Sequence, residues 1–395
     1  MNFERDRLIL NYYNKKQSNM KRFFIKMLVV GVVVAATVMV VACGGNSGKG
    51  KRSKDKKNIS REVLISVRMD DYKYGYVNEN GEVAIKGKFS YAGDFKEGLA
   101  AVCDFESGKA GYIDKEGKWA IAPQYNSANE FSEGLAAVNA GAKETGKWGF
   151  IDKTGKMVVA FQYDNVRDFS EGLAAVEING KYGFIDKTGK VVIEPQYYMV
   201  GSFSEGLADV KLSENDNYGY VNKTGKYVIE PQYKYASSFS NGLAPAEIND
   251  KWGFIDKTGK MVIAPQFDYA FAFSGSAALV VVDDKAGFID RTGKYTITPR
   301  FTGYGTPREG MTTVCENGKW GYVDSTGKLA IELQFDEAGF FSNGYVYVEK
   351  GDVRGIIDKT GKYIWKQKKK DKDYSDIENN ETVEADVKPD CAPAE

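Results

Sequence analysis

A pair of glycines six residues apart recurs nine times along this chain, and no other feature limits the possible folds so strongly. The first members are Gly75, Gly111, Gly149, Gly183, Gly219, Gly253, Gly287, Gly321 and Gly355. The second are Gly81, Gly117, Gly155, Gly189, Gly225, Gly259, Gly293, Gly327 and Gly361. Successive copies are 34 to 38 residues apart, and none breaks the six-residue interval. Self-similarity at such a period marks a repeat architecture. A unit of this size cannot bury an adequate core alone. The body must therefore gain its stability from neighbouring units packed together.

Each part of the repeat has a local reading. Leu173–Ile178 is a short apolar strand, C, that runs into Asn179-Gly180, a favoured pair for a two-residue hairpin turn. Equivalent turns are Asn249-Asp250, Asp283-Asp284 and Asn317-Gly318. Strand A follows, as in Tyr182–Ile185, and then a turn reading Asp-Lys-Thr-Gly-Lys. There Asp suits the first turn position and Gly the left-handed one. Strand B comes next and is expected to end at Pro123, Pro195, Pro231, Pro265 or Pro299, since proline cannot donate to a ladder. The expected fold is all-β: a tandem array of about nine three-stranded antiparallel β-meander repeats. Both a closed propeller-like toroid and an open superhelical ribbon suit the pattern, with some preference for radial, propeller-like packing.

The best-formed copies are KWGFIDKTGKMVIAPQF at Lys251–Phe267 and KYGFIDKTGKVVIEPQY at Lys181–Tyr197, each interior copy leading to a phrase like FSEGLAAV at Phe131–Val138. These residues resemble the WG repeat, also called the KWG repeat, of many bacterial proteins. The resemblance runs from about Val63 to Trp365. It implies a repeat fold and no particular activity, because the family shares none that is well defined.

Two aromatic rows are expected to pack between neighbouring sheets. One is Tyr125, Tyr163, Tyr197, Tyr233, Phe267, Phe301 and Phe335; the other is Phe95, Phe131, Phe169, Phe203, Phe239, Phe273 and Phe341. The residue before the first glycine is Trp148, Trp252 or Trp320 in three units, Tyr74, Tyr182 or Tyr218 in three, and Ala110, Ala286 or Arg354 in the rest. A row of aromatics could stack on sugar rings. Its position at a strand start favours packing instead.

The N-terminal region reads as an address. Residues 1–19 fit no targeting pattern and suggest a start codon assigned too early, with Met20 the true beginning. Residues 20–42 carry Lys21, Arg22 and Lys26 ahead of an apolar run from Met27 to Ala42, the layout of a secretory signal peptide. The run ends in Val40-Val41-Ala42-Cys43, which resembles the lipobox of bacterial lipoproteins. That resemblance implies cleavage before Cys43 and acylation of this cysteine, palmitate included, and hence attachment to the membrane. Residues 43–61 then read as a flexible basic tether, 62–365 as the repeat domain and 366–395 as a disordered charged tail. The expected location is the bacterial cell envelope. With two membranes it would be the outer one, facing the periplasm.

Composition bears mainly on chemistry. The chain has no histidine, which removes Ser-His and Cys-His nucleophile pairs and all His-containing metal sites. Lys plus Arg and Asp plus Glu number 54 each, so no net charge favours nucleic acid. Asp114, Asp152, Asp186, Asp256, Asp290, Asp324 and Asp358 could be read as a carboxylate row. Asn78 and Asn222 replace them at the same spacing, which fits a turn-capping role better. No CxxC spacing occurs among Cys43, Cys103, Cys315 and Cys391. Cys103 and Cys315 fall at equivalent places in distant units and should not bridge each other; free thiols are expected, with a tether of the tail through Cys391 as the alternative.

No catalytic residue, cofactor site or metal site is expected, and the only assigned site is lipid attachment at Cys43. The expected function is a non-catalytic envelope lipoprotein acting as a repeat scaffold for a protein partner. The alternatives are a carbohydrate- or peptidoglycan-binding lipoprotein and, far behind, a carboxylate-dependent envelope hydrolase. The variable connectors between the aromatic rows are where a binding face is expected: Asn126–Glu130, Asp164–Asp168, Tyr198–Gly201, Lys234–Ser237 and Thr302–Gly305.

Overall fold

The computed structural model describes residues 59–69, 73–141 and 146–368. The signal peptide, Cys43, most of the tether and the tail beyond residue 368 lie outside the described residues. Within them, every named element is a β-strand.

Residues 165–197 illustrate the unit. Strand C is Leu173–Ile178, A is Lys181–Asp186 and B is Val191–Tyr197. They are joined as a meander, with Val176 opposite Gly183 and Phe184 opposite Ile193. The turns are those the sequence asks for. Asn179 and Gly180 both have positive φ (52° and 74°), as a type I′ hairpin requires. Asp186 Oδ1 accepts hydrogen bonds from Thr188 N (2.8 Å), Thr188 Oγ1 (2.6 Å) and Lys190 N (3.1 Å), closing the A–B turn.

Two features differ from the expectation. Strand B does not end at the proline: Pro195 lies inside Val191–Tyr197, at a bulge between the Phe184 and Tyr182 pairings. A bulge tolerates a missing N–H, so the ladder resumes beyond it. The unit also has a fourth strand, D, of only two residues. Asn165–Val166 follows the preceding B strand after one intervening residue and pairs with C. The sheet order is therefore D-C-A-B.

Eight such four-stranded blades follow one another, preceded by one three-stranded unit. That first unit comprises β1 (Leu64–Arg68), β2 (Tyr74–Asn78) and the start of β3 (Val83–Lys96). Because β3 continues without a break into the D position of the next blade, these two units form one six-stranded sheet. The architecture is thus an eight-bladed β-propeller carrying one supernumerary unit, for which no D strand falls among the described residues. The domain limits shift accordingly. Ser60 and Arg61, assigned to the tether, are held on the body, with Arg61 Nη1 donating to Lys115 O at 2.6 Å. Residues 366–368, assigned to the tail, belong to the last B strand, Tyr363–Lys368.

Packing between units makes the core. Among the described residues, nine apolar clusters each span two neighbouring units. The ninth joins the two ends of the array: Ile65, Val67 and Val77 of the first unit meet Ile356, Ile364 and Trp365 of the last. The ring is closed by side-chain packing and not by a shared strand.

The same contact recurs at most junctions. An aromatic on strand A of one unit meets the second-row phenylalanine of the next, as in Phe184–Phe203 and Phe254–Phe273, both with ring centroids 4.8 Å apart. Both aromatic rows are buried, as expected. The Ser-Glu-Gly phrase ties adjoining units on their polar side. Ser170 Oγ donates to Phe203 O at 2.8 Å. Glu171 occupies the left-handed region (φ 53°), which costs about 1–2 kcal/mol. That geometry lets its Oε2 accept Gly206 N–H at 3.0 Å and pair with Lys223 at 3.1 Å. The pairs of this type are solvent-exposed and contribute little; the buried aromatic contacts carry most of each junction.

Candidate site on the D rim

The D strand forms one edge of each four-stranded blade. Asp94 of the second unit accepts a hydrogen bond from Ser342 Oγ of the ninth, passing over the first unit. Where these three units meet, a recess of about 310 Å³ is lined by Glu62, Leu64, Phe95, Lys115 and Asn343, among others.

Around the rim, the residue before each second-row phenylalanine, or before Pro307 that replaces it, changes in character from blade to blade, unlike the frame residues. It is Asp94, Glu130, Asp168, Ser202, Ser238, Ala272, Thr306 and Phe340 in order. The connectors picked out by sequence thus converge on one edge of the fold and divide it into two arcs.

The first arc is acidic. Asp94, Glu130 and Asp168 stand on three consecutive blades, each half-buried. Glu130 Oε1 accepts Asp94 N–H at 3.2 Å. Asn129 Nδ2 donates to Asp168 Oδ1 at 2.9 Å. Burial, and then the neighbouring Asp94, raise the Glu130 carboxyl above its ordinary range, with Lys96 opposing. Burial raises Asp168, with the Asn129 bond opposing. Asn129 is 7% exposed, and its Oδ1 has no hydrogen-bond partner. Farther along, Asp209 is buried at a position where Ala101, Ala137 and Ala175 stand in three other units, and burial pushes its carboxyl up to about 6. Ser238 Oγ donates to its Oδ1 at 3.2 Å.

The second arc is aromatic. Tyr218, Tyr235, Trp252, Tyr269, Phe271 and Tyr304 form an unbroken chain of ring contacts across four blades. Tyr235 lies nearly parallel to Trp252, with an interplanar angle of 17°. Tyr198, Met199, Tyr235 and Phe340 are exposed large apolar residues on this side. Arg308 sits over the Phe340 ring, 5.3 Å from its centroid.

The other sequence candidates have structural duties. The Asp row closes A–B turns, and Asn222 does the same through Thr224 and Lys226. Trp148 and Trp252 are buried, so their faces serve packing. Cys315 is a buried free thiol, whereas Cys103 is disulfide-bonded. The two do not bridge each other, but the expectation of free thiols fails at Cys103. Among the described residues no group of three or more His, Cys, Asp or Glu side chains is placed to hold a metal ion. The outer B strands also expose Val192, Val228 and Val262. These recur at one place in the repeat and offer little to distinguish ligands.

A family model described as a WG containing repeat matches eight segments between residues 74 and 353. No curated protein sequence matches the chain. Among solved structures, a eukaryotic initiation factor is similar at a TM-score of 0.52 and 12% identity, covering 77% of this chain and 94% of that one. Apo AztD from Citrobacter koseri is similar at a TM-score of 0.39 and 12% identity, covering 70% and 93%. At these identities the likeness concerns the fold alone.

Proposed function

Because the chain belongs to the family of proteins built from WG-containing repeats, whose frame is the propeller described above, we propose that it is a non-catalytic binding scaffold that engages a protein partner through the D rim. The observation that carries this reading is the contrast between the frame and the rim. Turn, core and junction residues repeat from unit to unit, whereas the rim residues change in character, and several of them, such as Met199, Tyr235 and Phe340, are large, apolar and exposed. A surface of that kind gains affinity from a few aromatic anchors.

The scaffold is held to the cell envelope through acylated Cys43, with the outer membrane and a periplasmic orientation in an organism with two membranes. The motif around Cys43 and the apolar run before it support this. Metabolic labelling with a palmitate analogue tests it: label on the natural chain and none on Cys43→Ser is expected, and equal labelling would refute it.

The test of partner binding is crosslinking of the full-length chain in cells, followed by recovery. The expected result is a specific protein whose yield drops at least tenfold for a Met199→Ala/Tyr235→Ala double variant and is unchanged for Val192→Ala. Repeated recovery of the chain alone would contradict the reading. The aromatic chain from Tyr218 to Tyr304 keeps one other reading open, binding of a glycan by stacking on Tyr235 and Tyr269. Sedimentation with isolated cell wall decides it, since retention is expected only for a glycan binder.

A further inference from the structure

We infer that the recess where the first, second and ninth units meet is a binding site for the carboxylate of a small amphiphilic acid. Gly98 N–H and Lys115 Nζ hold the carboxylate, and its apolar part lies against Val63, Leu64 and Phe95. The site goes beyond the partner face on the aromatic arc and does not depend on it.

The repeat itself shows what these two donors hold. At five junctions the glutamate two residues before strand C accepts a glycine N–H of the next unit. The same glutamate pairs with the lysine in that unit's A–B turn. Glu97, for example, accepts Gly134 N–H at 3.1 Å and meets Lys153 Nζ at 2.9 Å. Gly98 and Lys115 are the corresponding donors of the second unit, and Glu62, two residues before Leu64, is the corresponding glutamate of the first. Here the pattern breaks. Lys115 Nζ donates to the backbone oxygen of Glu62 at 2.6 Å, but the side chain of Glu62 is exposed and takes neither donor. No other carboxylate among the described residues replaces it. The preceding residues give the cause. Ser60 O accepts Asn78 Nδ2 at 3.2 Å and Arg61 Nη1 donates to Lys115 O at 2.6 Å, so the chain runs along the A–B turns where other units carry Phe-Ser-Glu-Gly.

The second observation is the space itself. The recess of about 310 Å³ lies between the equivalent turns of the flanking units, with Gly98 of the second and Asn343 of the ninth on its lining. That volume is at the small end of ligand pockets, which run from about 300 to 1,000 Å³. Its lining joins three apolar side chains to an amide N–H and an ammonium. Elsewhere in the ring this same pair of donors grips a carboxylate, and charge-assisted bonds of that kind are the strong ones.

Two sources supply such a group, a free acid or the C-terminus of a peptide, and the experiment separates them. The full-length chain is titrated by ligand-observed NMR with hexanoate and, separately, with a tetrapeptide ending in phenylalanine with a free α-carboxylate. Hexanamide and the amidated peptide are the controls. Binding of at least one acid and of neither amide is expected, hexanoate alone marking a free acid and the peptide alone a chain terminus. Affinity should fall about tenfold or more in Lys115→Met, which loses a charge-assisted bond. It should stay unchanged in Lys153→Met, which carries the same change of charge but whose ammonium is already taken by Glu97. Circular dichroism melts establish that both variants are folded. If Lys115→Met is not, Overhauser contacts between the bound acid and the labelled methyl groups of Leu64 in the natural chain decide. Absence of binding by both acids below about 20 mM, equal binding by the amides, equal binding by folded Lys115→Met, or an acid bound without contact to Leu64 would overturn the inference. None of these results touches the partner reading, because recovery of the partner depends on Met199 and Tyr235.

Discussion

Gly183 lies directly against the backbone of Pro195. A Cβ added to this glycine would stand 2.6 Å from the proline nitrogen and closer still to the carbonyl oxygen of Ile193. Gly183 is in extended strand, so the requirement concerns space and not φ. The bulge at the proline presses the B strand onto strand A at this one residue, and the same approach joins Gly219 to Pro231 and Gly287 to Pro299. Gly183→Ala should therefore destabilise the fold by about 1–3 kcal/mol or more, the usual cost of overpacking. Gly180, whose added Cβ would meet nothing within 4 Å, is the control: only its positive φ opposes alanine, at about 1 kcal/mol. Urea unfolding of the two variants measures the difference.

Phe203 is 1% exposed and meets Phe184 of the preceding unit. Its truncation to alanine should cost about 3–5 kcal/mol. Since it sits at a junction, hydrogen exchange should quicken in both adjoining blades and not in one. Acceleration confined to residues 207–233 would mean that the junction is not cooperative.

Asp209 gives the fold a pH dependence of definite sign. Its carboxyl is raised from 3.8 to about 6 in the folded state by burial, so the native chain holds this proton more tightly than the unfolded one. Stability from this group is fully present below pH 3.8 and is lost as pH rises through about 6. The loss is on the order of 3 kcal/mol. Asp209→Ala, the residue found in equivalent positions such as Ala137 and Ala175, should be more stable than the natural chain at pH 8 and gain nothing at pH 3.5. Urea midpoints at the two pH values provide the check.

Much of this was readable from residue order because each repeated feature has a local cause. The Asn179-Gly180 turn, the Asp186 cap and the buried rows through Tyr197 and Phe203 all stand where the pattern puts them. Strand D was not readable: two residues, Asn165 and Val166, are too few to show a period, and they form a strand only because strand C lies beside them. Pro195 was misread for a related reason, since the bulge that accommodates it depends on Gly183 across the ladder. The junction role of Glu171 was missed although Ser-Glu-Gly is a recurrent phrase, because nothing in a sequence marks a glutamate as left-handed. The connectors did point to the rim. Their order did not show that Asp94, Glu130 and Asp168 would be neighbours, which depends on the stacking of separate units.

Ring closure is the relationship on which the rim depends, because an open ribbon would not bring Ser342 to Asp94. Gly81 of the first unit lies against Trp365 of the last, with an added Cβ 2.8 Å from the tryptophan Cβ. Spin labels on Asn80→Cys and Lys366→Cys, in a chain whose native cysteines are replaced, report directly on this seam by electron–electron distance measurement. A closed ring predicts one narrow distribution within about 20 Å, roughly two sheet spacings. A distribution centred near about 80 Å, the span of eight stacked sheets laid out as a ribbon, would contradict it.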